Sequence, residues 1–476
     1  MDAVVGAVTN VNDVYWYGVI VLLVGLGLYF TVRSRFVQIR LVPDMLRSLT
    51  ERAETLPDGT KGISAFRAFS ISAGSRVGTG NIVGVGLAIS VGGPGAVFWM
   101  WAMAIIGAAS AFVESTLAQL YKVPDRDGFR GGPAYYMQYG LGRRWMGAIF
   151  AVVIALTYSF VFNTVQTNSI VDAASTSIGF EGNGPAAVVG VVVAGLTAAV
   201  IFGGVRRISG VTRIVVPLVA GAYIILGLVV VLLNLGEVPR MFSLIVENAF
   251  GVREVVSGGF AAAFIQGVRR GLFSNEAGMG SAPNAGATAA VSHPVKQGLV
   301  QSLGVYFDTL LVCSMTAFVI LLSEPEYGTA AGASLTQNAL AAELGGWTVH
   351  FLAIAIFFLA FTSVIGNYYY GESNIEFLST SQRVLQGFRA LVVLCVFAGA
   401  IGSLSLVWEL ADLFMGVMAT INLIALLPLS GVAFALFAHY SRQRSRGIDP
   451  VFHRSDLPEI RGVQVWDEPQ GARELG

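Results

Sequence analysis

Long uncharged apolar stretches alternate along this chain with short polar connections. A helix needs about 20 mostly apolar residues to cross roughly 30 Å of hydrocarbon. Residues 14–32, 145–171, 182–205, 214–236 and 390–408 carry no charge at all, and neither does 344–371. Stretch 297–323 admits only Asp308, and 95–121 only Glu114. Two further stretches, 62–91 and 255–290, are apolar but interrupted midway by glycine and polar residues. The last block, 406–440, holds Glu409 and Asp412 early and is long enough for one tilted crossing. The pattern predicts an all-α polytopic membrane protein with 11 transmembrane helices.

Charge orients these spans, because basic residues collect in cytoplasmic loops. With the N-terminus outside, every one of the 29 basic residues falls on the cytoplasmic side except Arg76, Arg240, Arg253, Arg269 and Arg270. A twelfth crossing would put Arg442, Arg444 and Arg446 outside, so the C-terminus is expected in the cytoplasm of a cell bounded by this membrane. The residues before the first span include Asp2 and Asp13 but nothing basic, which favours a retained first helix over a cleaved leader. The reading divides the chain into 1–61, a span and basic loop; 62–236 and 237–441, five helices each; and 442–476, a polar cytoplasmic tail. Composition agrees, with 55% hydrophobic and 12% charged residues, against about 25% charged in a soluble domain. Acids and bases balance at 29 each, so nothing draws in nucleic acid. Cys313 and Cys395 lie in separate apolar runs, and His293, His350, His439 and His453 share no ligand spacing, which disfavours a disulfide scaffold or zinc.

The interrupted spans carry the chemistry. A broken helix in lipid leaves backbone groups unpaired, at several kcal/mol each, unless they line a cavity. The first reads Ser72-Ala73-Gly74-Ser75-Arg76-Val77-Gly78-Thr79-Gly80-Asn81-Ile82, the second Arg269-Arg270-Gly271-Leu272-Phe273-Ser274-Asn275-Glu276-Ala277-Gly278. Each opens a set of five spans, and five is odd, so the two sets sit in opposite orientations. Paired glycine-interrupted spans in an inverted repeat point to a transporter site at the midplane. The alternative, that Gly78, Gly80 and Gly278 only let helices approach closely, does not call for Arg76, Asn81, Ser274, Asn275 and Glu276 at the same depth. A half-helix beginning near Thr79–Asn81 aims free N–H groups at the midplane, which suits a carboxylate.

At these residues the sequence resembles the alanine/glycine:cation symporter family. The likeness lies in Gly78-Thr79-Gly80-Asn81-Ile82, Gly92-Gly93-Pro94-Gly95-Ala96-Val97-Phe98-Trp99-Met100-Trp101, Arg270 through Gly278, and Gly366-Asn367-Tyr368-Tyr369-Tyr370-Gly371-Glu372. It covers about Trp16 to Tyr440. The resemblance implies a LeuT-type fold, two inverted fives plus one N-terminal span, moving alanine or glycine inward with Na+. It places the substrate carboxylate on the amides of Thr79 and Gly80, with Gln166, Phe273, Ser274, Asn275 and Asn367 around the substrate. One sodium would lie near Asn81 and Ser274. The second would use carbonyls of Gly74 and Val77 with the hydroxyls of Thr362 and Ser363.

Blander roles stand beside these. Gln166 equally suits an interhelical hydrogen bond. Arg76, Arg269 and Arg270 are expected to pair with Glu114, Glu276 or Asp308. The aromatics Trp99, Trp101, Tyr135, Tyr136 and Tyr368–Tyr370 fit interfacial belts and core packing as well as gates, and Asp172 reads as a solvated helix end. Every assigned cation ligand is neutral, which favours sodium over the proton. A channel would show rings of like charge or repeated filter carbonyls, and an embedded enzyme a nucleophile with its base; neither pattern occurs within the spans. The partners expected are a small amino acid and the bilayer, with no obligatory protein partner evident.

Overall fold

The computed structural model describes residues 2–56, 59–125, 128–252, 259–324, 327, 332–402 and 404–467. Helices account for nearly all of it, because lipid offers no hydrogen bonds and a spanning segment must satisfy its backbone internally. One small hairpin pairs Val123–Asp125 with Gly128–Arg130. Among the described residues nine helices are long and apolar enough to cross a membrane: Val5–Arg33, Gly95–Leu120, Arg144–Ile178, Asn183–Ile201, Gly204–Leu233, Pro294–Leu322, Trp347–Leu378, Gln382–Gly399 and Leu406–Ser445. The two interrupted segments fall outside that set because each is two short helices. Ala65–Arg76 meets Val85–Gly92 through a wide turn at Gly80–Gly84, and Gly259–Asn275 precedes Ala282–Gly286.

Several boundaries differ from the apolar stretches. The 214–236 stretch belongs to a helix that starts at Gly204, so Arg206, Arg207 and Arg213 ride its first turns rather than a loop. The 390–408 stretch is split between Gln382–Gly399 and Leu404–Ser445. Arg389 therefore lies inside a helix, its Nη2 donating to Glu372 Oε1 at 2.7 Å and its Nε to the Tyr368 hydroxyl at 2.8 Å. A long aliphatic stem lets arginine sit in an apolar helix while its head reaches a polar partner. Asp172 is no solvated end: its carboxylate accepts the Ala333 N–H at 3.1 Å, tying the Arg144–Ile178 helix to the connecting helix Ala333–Leu344.

Gly95–Leu120 is the centre of the packing, lying against both Gly259–Asn275 and Pro294–Val305. Small residues permit this approach. A Cβ on Gly267 would stand 2.6 Å from the Ala96 carbonyl, and one on Gly298 2.8 Å from the Phe112 carbonyl. The N-terminal helix Asp2–Arg33 lies along Gly95–Leu120 and Leu404–Ser445, outside the repeats. Wide turns also interrupt the helices at Thr157–Phe162 and Tyr306–Cys313, as occurs often at functional sites. The segment after Ser445 does not hang free. Phe452 is only 2% exposed, its N–H donates to the Ser292 carbonyl at 2.9 Å, and Trp466 Nε1 donates to the Gln119 carbonyl at 3.2 Å.

Candidate functional site

The first break begins where Val77 leaves the helix with ψ 86, its N–H still bonded to Ala73 O at 2.7 Å. The next two amides turn inward and find side-chain oxygens. Gly78 N–H donates to Asn81 Oδ1 at 2.9 Å and Thr79 N–H to Gln166 Oε1 at 3.2 Å. Gln166 thus does face the break, and its bond is to backbone; an amide oxygen occupies a place where a carboxylate oxygen would be equally well received. The Thr79 hydroxyl is buried with no partner among the described residues. Glycine is required for space here. A Cβ at Gly80 would lie 2.9 Å from Phe273 Cδ1, and one at Gly78 would collide with Ser363 Oγ.

The second break follows Asn275, with Glu276 at φ 58, Gly278 at φ 86 and Gly280 at φ 80, left-handed conformations that end the helix. Glu114 caps it. Its carboxylate accepts the Gly278 and Gly280 N–H groups at 3.2 and 3.0 Å and Asn422 Nδ2 at 2.9 Å. Glu276 accepts the hydroxyls of Ser75 at 2.9 Å and Ser281 at 2.7 Å. Ser75 also stands 2.6 Å from Asn367 Oδ1, and Asn367 Nδ2 donates to Asn163 Oδ1 at 3.0 Å. Asn367 is thereby held beneath the first break rather than beside Gly80. Asn275 Oδ1 accepts the Ala277 N–H at 3.0 Å, while its Nδ2 is a buried donor without a partner among the described residues.

The two breaks meet on one carboxylate. Asn81 Nδ2 lies 2.6 Å from Asp308 Oδ1 and 3.0 Å from Ser274 Oγ, and Ser274 donates to Asp308 Oδ2 at 2.7 Å. Thr309 Oγ1 adds a further donor at 2.9 Å, and Cys313 Sγ borders the group 3.1 Å from Ser274 Oγ. The structure brings Asn81 and Ser274 together, and it sets beside them Asp308, which the sequence reading left out of the cation sites. Its signal was available: it is the lone charge in an otherwise apolar span, and such residues are functional candidates by default. The acid and the two hydroxyls offer oxygens suited to a hard cation, while Asn81 turns its Nδ2 to the group and its Oδ1 to the Gly78 N–H. On the other side of the first break Ser363 Oγ donates to the Gly74 carbonyl at 2.9 Å, and Thr362 Oγ1 to Leu359 O of its own helix at 2.8 Å. Gly74, Thr362 and Ser363 are together, and Val77 is buried just past them.

The arginines pair differently from the expectation. Arg270 bonds Asp412 and stacks on Trp408, its guanidinium carbon 5.0 Å from the ring centroid. Arg269 lies 3.7 Å from Asp13 and donates to the Asn12 carbonyl at 3.1 Å. Neither reaches Glu114, Glu276 or Asp308, because both project from the half-helix away from the break. Arg76 donates to the Gln301 carbonyl at 3.3 Å, and its Nε and Nη2 have no partner among the described residues. Between Arg270 and the site lies an aromatic layer, Phe273 with Phe162 at 4.8 Å and Trp408 at 4.9 Å between centroids. Thr79, Gln166, Phe273, Ser274, Asn275 and Asn367 are at most 5% exposed, so the site is closed.

The model of the sodium:alanine symporter family matches residues 1–454. "Amino-acid carrier protein AlsT" of Bacillus subtilis is 50% identical over 475 residues, covering 99% of this chain and 100% of that protein. "Probable sodium/glutamine symporter GlnT" of the same organism is 48% identical, covering 96% of this chain and 94% of that protein. Among solved structures, MhsT in complex with L-phenylalanine superposes with a TM-score of 0.55 at 13% identity, covering 78% of this chain and 97% of that one. That likeness shows the fold, which is LeuT-type.

Proposed function

Because the chain belongs to the sodium:alanine symporter family, a family of transporters and not of enzymes, we propose that it carries alanine or glycine into the cell by alternating access. Sodium-coupled symport of an amino acid across a membrane is the premise; the substrate, the site and the orientation are the proposal. The observation that carries it is the Asn81–Ser274–Asp308 cluster, which joins both breaks and offers a sodium ion the Asp308 and Ser274 oxygens. In this reading the substrate carboxylate displaces Gln166 Oε1 from the Thr79 amide and takes the Gly80 amide as well. The carbonyls at the end of the second half-helix face its ammonium, and the free Asn275 Nδ2 donates to the substrate. Phe273, Phe162 and Trp408 crowd the substrate side chain, which favours a methyl or a hydrogen over a long amide. Sodium binds at Asn81, Ser274 and Asp308, and a second ion at Gly74, Val77, Thr362 and Ser363. Asn367, through Ser75, positions the inner half-helix.

Sequence division supports two inverted repeats, 62–236 and 237–441, with 11 crossings, the N-terminus outside and the C-terminus in the cytoplasm. A zwitterion moving with sodium carries net positive charge, so uptake should respond to voltage, worth about 2.3 kcal/mol per charge per 100 mV. The test is uptake into proteoliposomes with a sodium or a pH gradient imposed alone, using labelled alanine against glycine and glutamine. Sodium-driven accumulation of alanine is expected. Accumulation driven by a pH gradient in sodium-free buffer, or glutamine outcompeting alanine, would overturn the reading.

A further inference from the structure

The segment beyond the last span is folded onto the membrane protein at residues that belong to other elements. Phe452 N–H donates to the Ser292 carbonyl and Ser292 Oγ to the Pro450 carbonyl, both at 2.9 Å. The Phe452 ring packs against the stacked pair His293 and His439, 5.6 and 5.9 Å from their centroids. Farther along, Trp466 covers Lys122, whose Nζ lies 4.4 Å from the Trp466 centroid and 4.0 Å from that of Phe129. The backbone between these anchors closes on itself, with Arg454 N–H on the Trp466 carbonyl at 2.8 Å. A buried Phe452, a half-buried Trp466 and a chain of backbone bonds define a specific docking mode, which a solvated tail has no reason to adopt.

Across a shared pocket from the segment lies the lead into the first broken span, at Glu54, Thr55 and Leu56. Residues 59–63 run into Ser64, which caps the half-helix Ala65–Arg76 by accepting the Arg67 N–H at 3.3 Å. This lead is stitched to the loop after the second break: Glu54 N–H bonds Ala290 O at 3.0 Å, and Ala290 N–H bonds Ile63 O at 2.8 Å. Lys296, 2% exposed, then gathers three strands of chain. Its Nζ reaches Glu51 Oε1 and Ser292 Oγ at 2.6 Å and Asp449 Oδ2 at 3.1 Å. Arg47 lies 3.9 Å from the same Asp449. Any opening of the site toward this face must part Ala65–Arg76 from the 289–296 loop, and the tail joins that loop to Arg47, in the helix Val42–Leu49 ahead of the lead.

We propose that residues 446–467 form an inhibitory latch, docked on Arg47, Lys122 and the 289–296 loop, whose release permits the inner half of the first broken span to swing open. The inference rests on the alternating-access reading above. The experiment uses the full chain with Arg47→Cys and Asp449→Cys in a Cys395→Ala background, joined by a short bifunctional maleimide, beside a separate Trp466→Ala variant. Cross-linking should lower sodium-driven alanine uptake at least tenfold with sodium-dependent alanine binding intact, and Trp466→Ala should raise uptake several-fold. Amide hydrogen exchange across 65–76, read without substrate, should quicken in Trp466→Ala and slow in the cross-linked protein, whatever solute the protein carries. Uptake at the unlinked rate after cross-linking, or exchange at 65–76 equal in all three proteins, overturns the latch. Loss of binding along with uptake overturns it too, since the tail would then support the site's structure rather than gate it.

Discussion

At the scale of single residues the site is governed by what cannot be replaced. Gly80→Val puts branched carbon against Phe273, whose ring already stands 2.9 Å from an added Cβ, so substrate binding should be lost while the detergent-solubilised protein stays monodisperse; retained binding by scintillation proximity would remove the helix-terminus site. Asp308→Asn keeps the shape but removes the charge from the Asn81–Ser274 cluster. Half-saturation of uptake by sodium should rise about tenfold or more, a loss of at least ~1.4 kcal/mol, and an unchanged sodium curve would exclude Asp308 as a ligand. Lys122 makes a pH prediction outside the membrane. Burial pulls its ammonium down to about 7 from 10.5, against the opposing pull of the Glu54 carboxylate. The folded state therefore binds fewer protons than the unfolded one between those values, and stability rises with pH across that window, by roughly 2 kcal/mol from pH 7 to 9. Thermal melts in detergent should show this rise, and Lys122→Met should flatten it.

At the scale of elements, much was legible because lipid makes sequence explicit. Charges are too costly in hydrocarbon to scatter, so apolar stretches marked most helices and the glycine-rich interruptions marked both breaks. What was not legible was pairing. Nothing local says that Glu114 caps Gly278 and Gly280, that Arg270 answers to Asp412, or that Asp308 completes a cluster begun at Asn81, since each partner arrives from a different span. Helix ends were misread where arginine stems snorkel, as at Arg206 and Arg389. The docked tail was missed because its anchors, Phe452 and Trp466, are isolated aromatics in a polar sequence and their seats come from three separate loops. Orientation is checked at this scale. Cysteines placed singly at exposed Asn338 and Arg446, without Cys395 and with Cys313 buried, should label oppositely in intact cells with an impermeant maleimide. Labelling of Arg446→Cys and not Asn338→Cys from outside would invert the topology.

At the scale of the whole molecule, the two breaks share their critical contacts. The first break is completed by Ser274 and Asp308 from the later half of the chain, and the second break by Glu114 from the earlier half. This interlock ties the two breaks to each other, as coupling between an ion and a solute requires. It also has a consequence for how the chain is made. Glu114 is synthesised 164 residues before Gly278 and 166 before Gly280, the amides it caps. While the ribosome is still translating the second half, the Gly95–Leu120 helix carries an acid with no partner, at a cost of roughly 2.5–3.5 kcal/mol on the insertion scale. That helix must linger near the translocon or in contact with another chain until its partner emerges. A first half ending near residue 236, expressed alone, should then be degraded rapidly, and co-expression of the second half or Glu114→Gln should lengthen its life in a pulse-chase measurement. If the lone half persists unaided, insertion does not wait on the cap.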